Sequence, residues 1–244
     1  MKTIKTIPFL ALFIIGITFA NAQDVYTHSL DGIKQVKILT GGDIHLIAGK
    51  DKQLLLEEFK GKNHLKKIVV KINQRYFQKS SKEREDKAKG LRAIYAGGED
   101  NTGNRGFNIT KEGDVLIVKD LKSGQSRDNF TIALPKTIDV FIDAGNLGSI
   151  YVSGFSSELE LKTHTGDIEL IEVTGPLTVF TNTGDIDVTF SAVNQQSPIS
   201  IRANTGDVDV SLPSNTKTDL VLKSNMGTVY TDFDFKIESK DGMK

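Results

Sequence analysis

Three aspartates recur in one octapeptide frame: THTGDIEL at 163–170, TNTGDIDV at 181–188 and ANTGDVDV at 203–210. A fourth copy, SNMGTVYT at 224–231, keeps the glycine and puts Thr228 where the acid stood. A row of carboxylates could hold a hard cation, because calcium takes several carboxylate and carbonyl oxygens. It could also supply the acid and base of a glycosidase, which needs a defined carboxylate separation and one raised pKa. Asp167, Asp185 and Asp207 form the candidate row; Asp43, in an early GGDIHL segment, extends it, and Glu169, Asp187 and Asp209 lie two residues further along the same face. Each repeat gives the row one carboxylate, whereas calcium-binding nonapeptide solenoids repeat their glycine and aspartate far more tightly. A solvated polar face is the expected state, with a cation bridged by Asp167, Asp185 and Asp207 as the minor alternative. No cofactor is implied.

Other catalytic material is sparse. His28, His45, His64 and His164 show no zinc-ligand spacing, and no serine stands in a nucleophile-elbow setting. The chain has no cysteine, which excludes disulfides, thiolate ligands, a thiol nucleophile and the lipid attachment of a lipoprotein. Tryptophan is absent, and Tyr26, Tyr76, Tyr95, Tyr151 and Tyr230 share no repeat phase, so no aromatic platform for glycan is visible. GGEDNTGNRG at 97–106 lacks the lysine and the strand-to-helix setting of a phosphate loop and reads as a flexible turn. No catalytic residue is assigned.

The elements that must position these residues alternate with period two. VKIL at 36–39, DIHLIA at 43–48 and KKIVVKI at 66–72 are strand patterns, and from Asn108 to Phe235 the alternation is almost unbroken. Between them, 74–107 is a charge-dense, then Gly- and Asn-rich, segment expected to be an inserted mobile loop. Residues 1–22 have the form of a removable signal peptide. Lys2 and Lys5 precede an apolar run from Pro8 to Ala20, and Ala20-Asn21-Ala22 is a small-residue cleavage site. That run is too short to span a bilayer, so the mature chain is expected to be exported, without stable membrane insertion, to the periplasm or cell surface. Its cleavage leaves 29 basic against 31 acidic residues, with no basic footprint for nucleic acid.

Gly148, Gly166, Gly184, Gly206 and Gly227 are spaced by 18, 18, 22 and 21 residues. A recurring turn at fixed phase predicts an all-β, single-domain parallel β-solenoid with coils of about 18–22 residues, whose core comes from stacking. The alternative is an antiparallel β-sandwich of hairpins. The expected organisation is N-terminal strands and cap at 23–73, the insertion at 74–107, repeats at 108–235 and a charged tail at 236–244. Glycine in the turn would supply a positive φ. His164, Asn182, Asn204 and Asn225, two residues before each glycine, would stack into a side-chain ladder.

These segments resemble a family. LELKTHTGDIEL, LTVFTNTGDIDV and ISIRANTGDVDVSLP, with the GGDIHL strand and KGLRAIYAGGEDNTGNRGF at 89–107, are similar to the exported adhesin-like domains of unknown function in bacterial envelopes. The resemblance spans about residues 25–235. It implies a β-solenoid body and a non-enzymatic role as a binding or structural module. The partner would be an envelope or surface component, protein or glycan; the alternatives are a polysaccharide-acting β-helix enzyme and an envelope-sensing accessory protein whose open last edge pairs by self-association or strand addition.

Overall fold

The computed structural model describes residues 25–49, 52–59, 94–122, 129–194 and 197–233. Among them there is no helix, and so none long and apolar enough to cross a membrane. Three strands form one end of the molecule: Tyr26–Ser29 (β1), Gln53–Phe59 (β4) and Phe107–Glu112 (β5). The others form six coils of two strands each. In chain order these are Gln35–Leu39 (β2) with Ile44–Gly49 (β3), Val115–Asp120 (β6) with Asn129–Pro135 (β7), and Asp139–Asp143 (β8) with Ile150–Ser153 (β9). Leu159–Thr165 (β10) with Ile168–Val173 (β11), Leu177–Thr183 (β12) with Ile186–Phe190 (β13), and Ile199–Thr205 (β14) with Val208–Ser211 (β15) follow.

The two strands of a coil belong to different walls. One sheet runs β14-β12-β10-β8-β2-β6-β5 and the other β1-β4-β7-β3-β9-β11-β13-β15. Coil stacks on coil in parallel register, as in Leu161↔Val179↔Ile201 and Ile168↔Ile186↔Val208. The molecule is therefore a parallel β-solenoid, and the hairpin sandwich is ruled out. Among the described strands, antiparallel pairing is confined to one end, where β5 covers β6, β4 covers β7 and β1 covers β4.

The stacking order departs from the chain order. The coil at 35–49 lies between those at 115–135 and 139–153: β2 pairs with both β6 and β8, and β3 with both β7 and β9. Local periodicity carries no information about which coil follows which, so only the packing fixes this arrangement.

Inward side chains form columns along the stack. Val36, Val140, Leu159 and Leu177 make one, and Leu46, Val152, Leu170 and Val188 another; all are buried. Burying each such side chain contributes roughly 1.5–3 kcal/mol of transfer free energy, so the columns are the main cohesive term in a chain without disulfides.

The turn is set by close approach more than by dihedral angle. Gly184 and Gly206 do have positive φ, 143° and 131°, but Gly148 and Gly166 do not. All four share a different constraint. A Cβ on Gly148 would meet the carbonyl oxygen of Gly42, on Gly166 that of Gly148, on Gly184 that of Gly166 and on Gly206 that of Gly184, each well inside van der Waals contact. The glycines form one column, joined by carbonyls that occupy the place of a side chain.

Several expected elements differ. The signal segment 1–22, the KKIVVKI strand, the charged part of the insertion up to Arg92 and the tail at 236–244 lie outside the described residues. The Gly- and Asn-rich loop is tied down rather than a free turn. Asp100 accepts the Thr102 N–H at 2.7 Å and the Gly106 N–H at 2.8 Å, and Asn101 exchanges two hydrogen bonds with the Ile109 backbone. DLVLKS and TVYTDFDF, expected as strands, are not paired over their described residues.

Gly184→Ala should destabilise the chain by roughly 2–3 kcal/mol, through overpacking against a carbonyl and a strained φ. Gly113 also has a positive φ, 64°, but a Cβ added there would meet nothing within 4 Å, so Gly113→Ala should cost only about 1 kcal/mol. Urea unfolding of both variants measures the difference.

Candidate functional site

Asp43, Asp167, Asp185 and Asp207 do stand in one row, with Ser149 completing it between Asp43 and Asp167. The row is held by hydrogen bonds from coil to coil. Asp43 Oδ1 accepts the Ser149 N–H at 3.0 Å, Ser149 Oγ the Asp167 N–H at 3.3 Å, Asp167 Oδ1 the Asp185 N–H at 3.0 Å, and Asp185 Oδ1 the Asp207 N–H at 2.9 Å. Each side chain thus satisfies a backbone donor at the corner of the next coil, where the sheet ladder is interrupted. A carboxylate is the stronger acceptor, but serine suffices geometrically. The interaction also answers the repulsion that a row of like charges would otherwise suffer, since these acids face fixed N–H dipoles.

Behind this row a buried hydroxyl repeats the pattern. Thr163 Oγ1 donates to the Gly148 carbonyl at 2.7 Å and Thr181 Oγ1 to the Gly166 carbonyl at 3.1 Å. Both threonines are buried, and the bond uses the spare lone pair of the crowded glycine carbonyl. The expected ladder contains one direct rung, Asn204 Nδ2 to Asn182 Oδ1 at 2.9 Å, with Arg202 Nε bonding Asn204 Oδ1 at 3.1 Å. His164 and Asn225 are exposed and do not extend it.

Glu169, Asp187 and Asp209 line up as parallel neighbours, continued by Tyr151 and His45. The rings of His45 and Tyr151 stack at 4.7 Å. Partial burial raises the Glu169 carboxyl above the usual carboxylate range, and Asp187 beside it adds to the shift. Burial likewise raises the Tyr151 phenol, with Asp43 contributing. Among the described residues no three His, Asp or Glu side chains are grouped to hold a metal ion. The row arrangement gives the reason: the Asp167, Asp185 and Asp207 carboxylates are dealt out one per coil, about 4.8 Å apart, along a straight edge.

The opposite wall carries an array that residue spacing alone does not reveal. Lys37 and Lys162 sit over the Phe141 ring at 5.1 and 5.3 Å, Arg202 over the Phe180 ring at 5.9 Å, and Lys162 also pairs with Asp143 at 3.1 Å. Cation–π contacts at such half-exposed positions contribute about 0.5–1 kcal/mol each. The aromatic phase is hidden because the same outward position holds lysine, phenylalanine or arginine in successive coils. Only the register Lys162↔Phe180↔Arg202 shows that they form a row.

Two depressions open on the surface of the described residues. One, of about 420 Å³, separates Ser191–Val193 from Pro213 and Asn215–Lys217. The other, of about 270 Å³, is bordered by Thr40, Asp120 and Asp143. There the Asp120 carboxylate accepts from Thr40 Oγ1 at 3.0 Å and from the Lys122 N–H at 2.9 Å, which ties the turn after β2 to the end of β6.

Asp185→Ala should destabilise the chain by about 0.5–1.5 kcal/mol and Asp185→Asn by much less, because the amide oxygen still accepts the Asp207 N–H. Glu169 gives a separate test. Its folded pKa lies above the unfolded value of about 4.3, so the folded state holds the proton more tightly and loses stability as pH rises through that interval. Glu169→Gln should match the parent near pH 4 and gain in urea midpoint relative to it by pH 7.

The chain belongs to the Toastrack DUF4097 family, whose sequence profile matches residues 33–243. No curated protein sequence matches it. A crystal structure of a "putative cell adhesion protein" from Clostridium sporogenes ATCC 15579 is similar over 78% of this chain and 98% of its own, with 11% identity and a TM-score of 0.40.

Proposed function

We propose that this Toastrack protein is a non-enzymatic, exported, adhesin-like β-solenoid that serves as a binding or structural module of the cell envelope or extracellular surface. The observation that carries the reading is that the recurring polar side chains are aligned from coil to coil on the two outer walls. Asp43, Asp167 and Asp185 are committed to joining coils, and on the other wall cations from one coil stand over aromatic rings of the next. Such walls suit an extended partner contacted many times weakly, rather than a small substrate enclosed in a cleft. The partner is an envelope component, protein or glycan, and the signal-like residues 1–22 supply the route to it.

One observation favours a second reading, an enzyme acting on envelope polysaccharide from the acidic wall. Glu169 has the raised pKa that a general acid needs and stands beside Asp187. The two readings separate in one experiment. Residues 23–244 incubated with isolated envelope fractions should be retained without releasing soluble sugar. Lys162→Ala with Arg202→Ala should weaken retention about tenfold, in line with the loss of two interface cations. Sugar release abolished by Glu169→Gln would establish the enzyme, and no retention by any fraction would overturn the binding module.

A further inference from the structure

The antiparallel end of the stack is covered, whereas among the described residues none pairs with the edge at the other end. Ile186 is fully buried, while Val208, its neighbour in the last coil, is 46% exposed; Ile199, Ile201 and Val210 are partly uncovered. Beyond Ser211 the chain carries another coil's worth of sequence that is not paired to this edge. Leu220, Leu222 and Val229 are 43%, 46% and 51% exposed.

We propose that Leu220–Thr231 is a detachable closing coil whose seat is the β14 and β15 edge of its own chain. Four observations fit the segment to that seat. Shifted by the 21 residues that separate Gly206 from Gly227, Leu220 and Leu222 continue the columns of Ile199 and Ile201, and Val229 that of Val208. Gly227 already has φ 135°, beside 131° at Gly206 and 143° at Gly184, so the turn has the shape of its predecessors before it is stacked.

The polar groups also match. Asp207 holds the place from which Asp167 and Asp185 accept the N–H of the next coil, and Thr228 would present that N–H. Ser224 stands where Thr163 and Thr181 donate to a glycine carbonyl, opposite Gly206. Finally, the connector is of the right length and is partly laid down. Residues 212–219 equal 191–198 in number, and Pro213 and Asn215–Lys217 lie alongside Ser191–Val193. The family profile runs on through the segment to residue 243.

A tether this short favours the chain's own edge over that of a second copy, because the local concentration of the segment is of roughly millimolar order. Detached, the segment would bare a parallel edge of the kind that accepts a strand from another chain. The closing coil therefore acts as a strap that governs access to the open end.

The absence of native cysteine allows a direct test. Ser200→Cys with Val221→Cys would face each other on the outer wall, at the Cα separation a disulfide requires. In residues 23–244 at micromolar concentration, mild oxidation should yield a monomer with an internal bond, read by mass and gel filtration. The off-register pair Ser200→Cys with Lys223→Cys, and the in-register pair carrying Gly227→Ala, should each cross-link about tenfold more slowly. Equal rates for all three would mean random collision and overturn the proposal, as would the absence of a cross-link or the formation of disulfide-linked dimers. In the unaltered chain, amide exchange across Leu220–Thr231 should be at least about tenfold slower than in an unstructured peptide. Unprotected exchange throughout would contradict a seated coil.

Discussion

The structure depends on how closely one turn can approach the next. At Gly42, Gly148, Gly166, Gly184 and Gly206 the carbonyl of one coil stands where the side chain of its neighbour would be. Only glycine permits this, and once the corners are that close the strands on either side fall into parallel register at sheet spacing. The inward Ile, Leu and Val then meet in columns, and the outward residues are drawn into rows. Hydrogen bonds of the Thr hydroxyls and of the row from Asp43 to Asp207 secure the same corners from inside and outside.

This changes what the repeated acid does. As an isolated motif, T-G-D at fixed phase invites a metal or an acid–base pair. In place, Asp167 and Asp185 each hold the backbone N–H of the following coil, and Ser149 does the same with a hydroxyl. The exchange of acid for hydroxyl therefore keeps the bond and drops the charge. Thr228, in the fourth copy, has a hydroxyl of the same kind. Glu169 differs in that its partial burial and its neighbour Asp187 perturb it chemically.

Much of this was legible from spacing. The glycine phase identified a parallel solenoid, and the Asn182 and Asn204 rung follows from placing one turn over another. Three things were not legible, for distinct reasons. The insertion of the 35–49 coil between 115–135 and 139–153 is a long-range choice, and alternation within a strand is the same wherever the strand stacks. The pair Lys37 and Phe141 and the row Lys162, Phe180 and Arg202 each mix residue types at one position, and Lys162 reaches the Phe141 ring from two residues along, so no single-letter periodicity marks the array. The Leu220–Thr231 segment has the coil pattern in full yet is unpaired, because pattern records the capacity to stack and not whether the strands are stacked.

The most direct test of the account is the order of stacking, since the glycine column exists only if coils distant in sequence meet at their corners. Methyl-labelled protein examined by nuclear Overhauser spectroscopy should show Ile38 in contact with both Val118 and Ile142, the register partners on its two sides. Direct contact between Val118 and Ile142, with Ile38 near neither, would place the coils in chain order and contradict it.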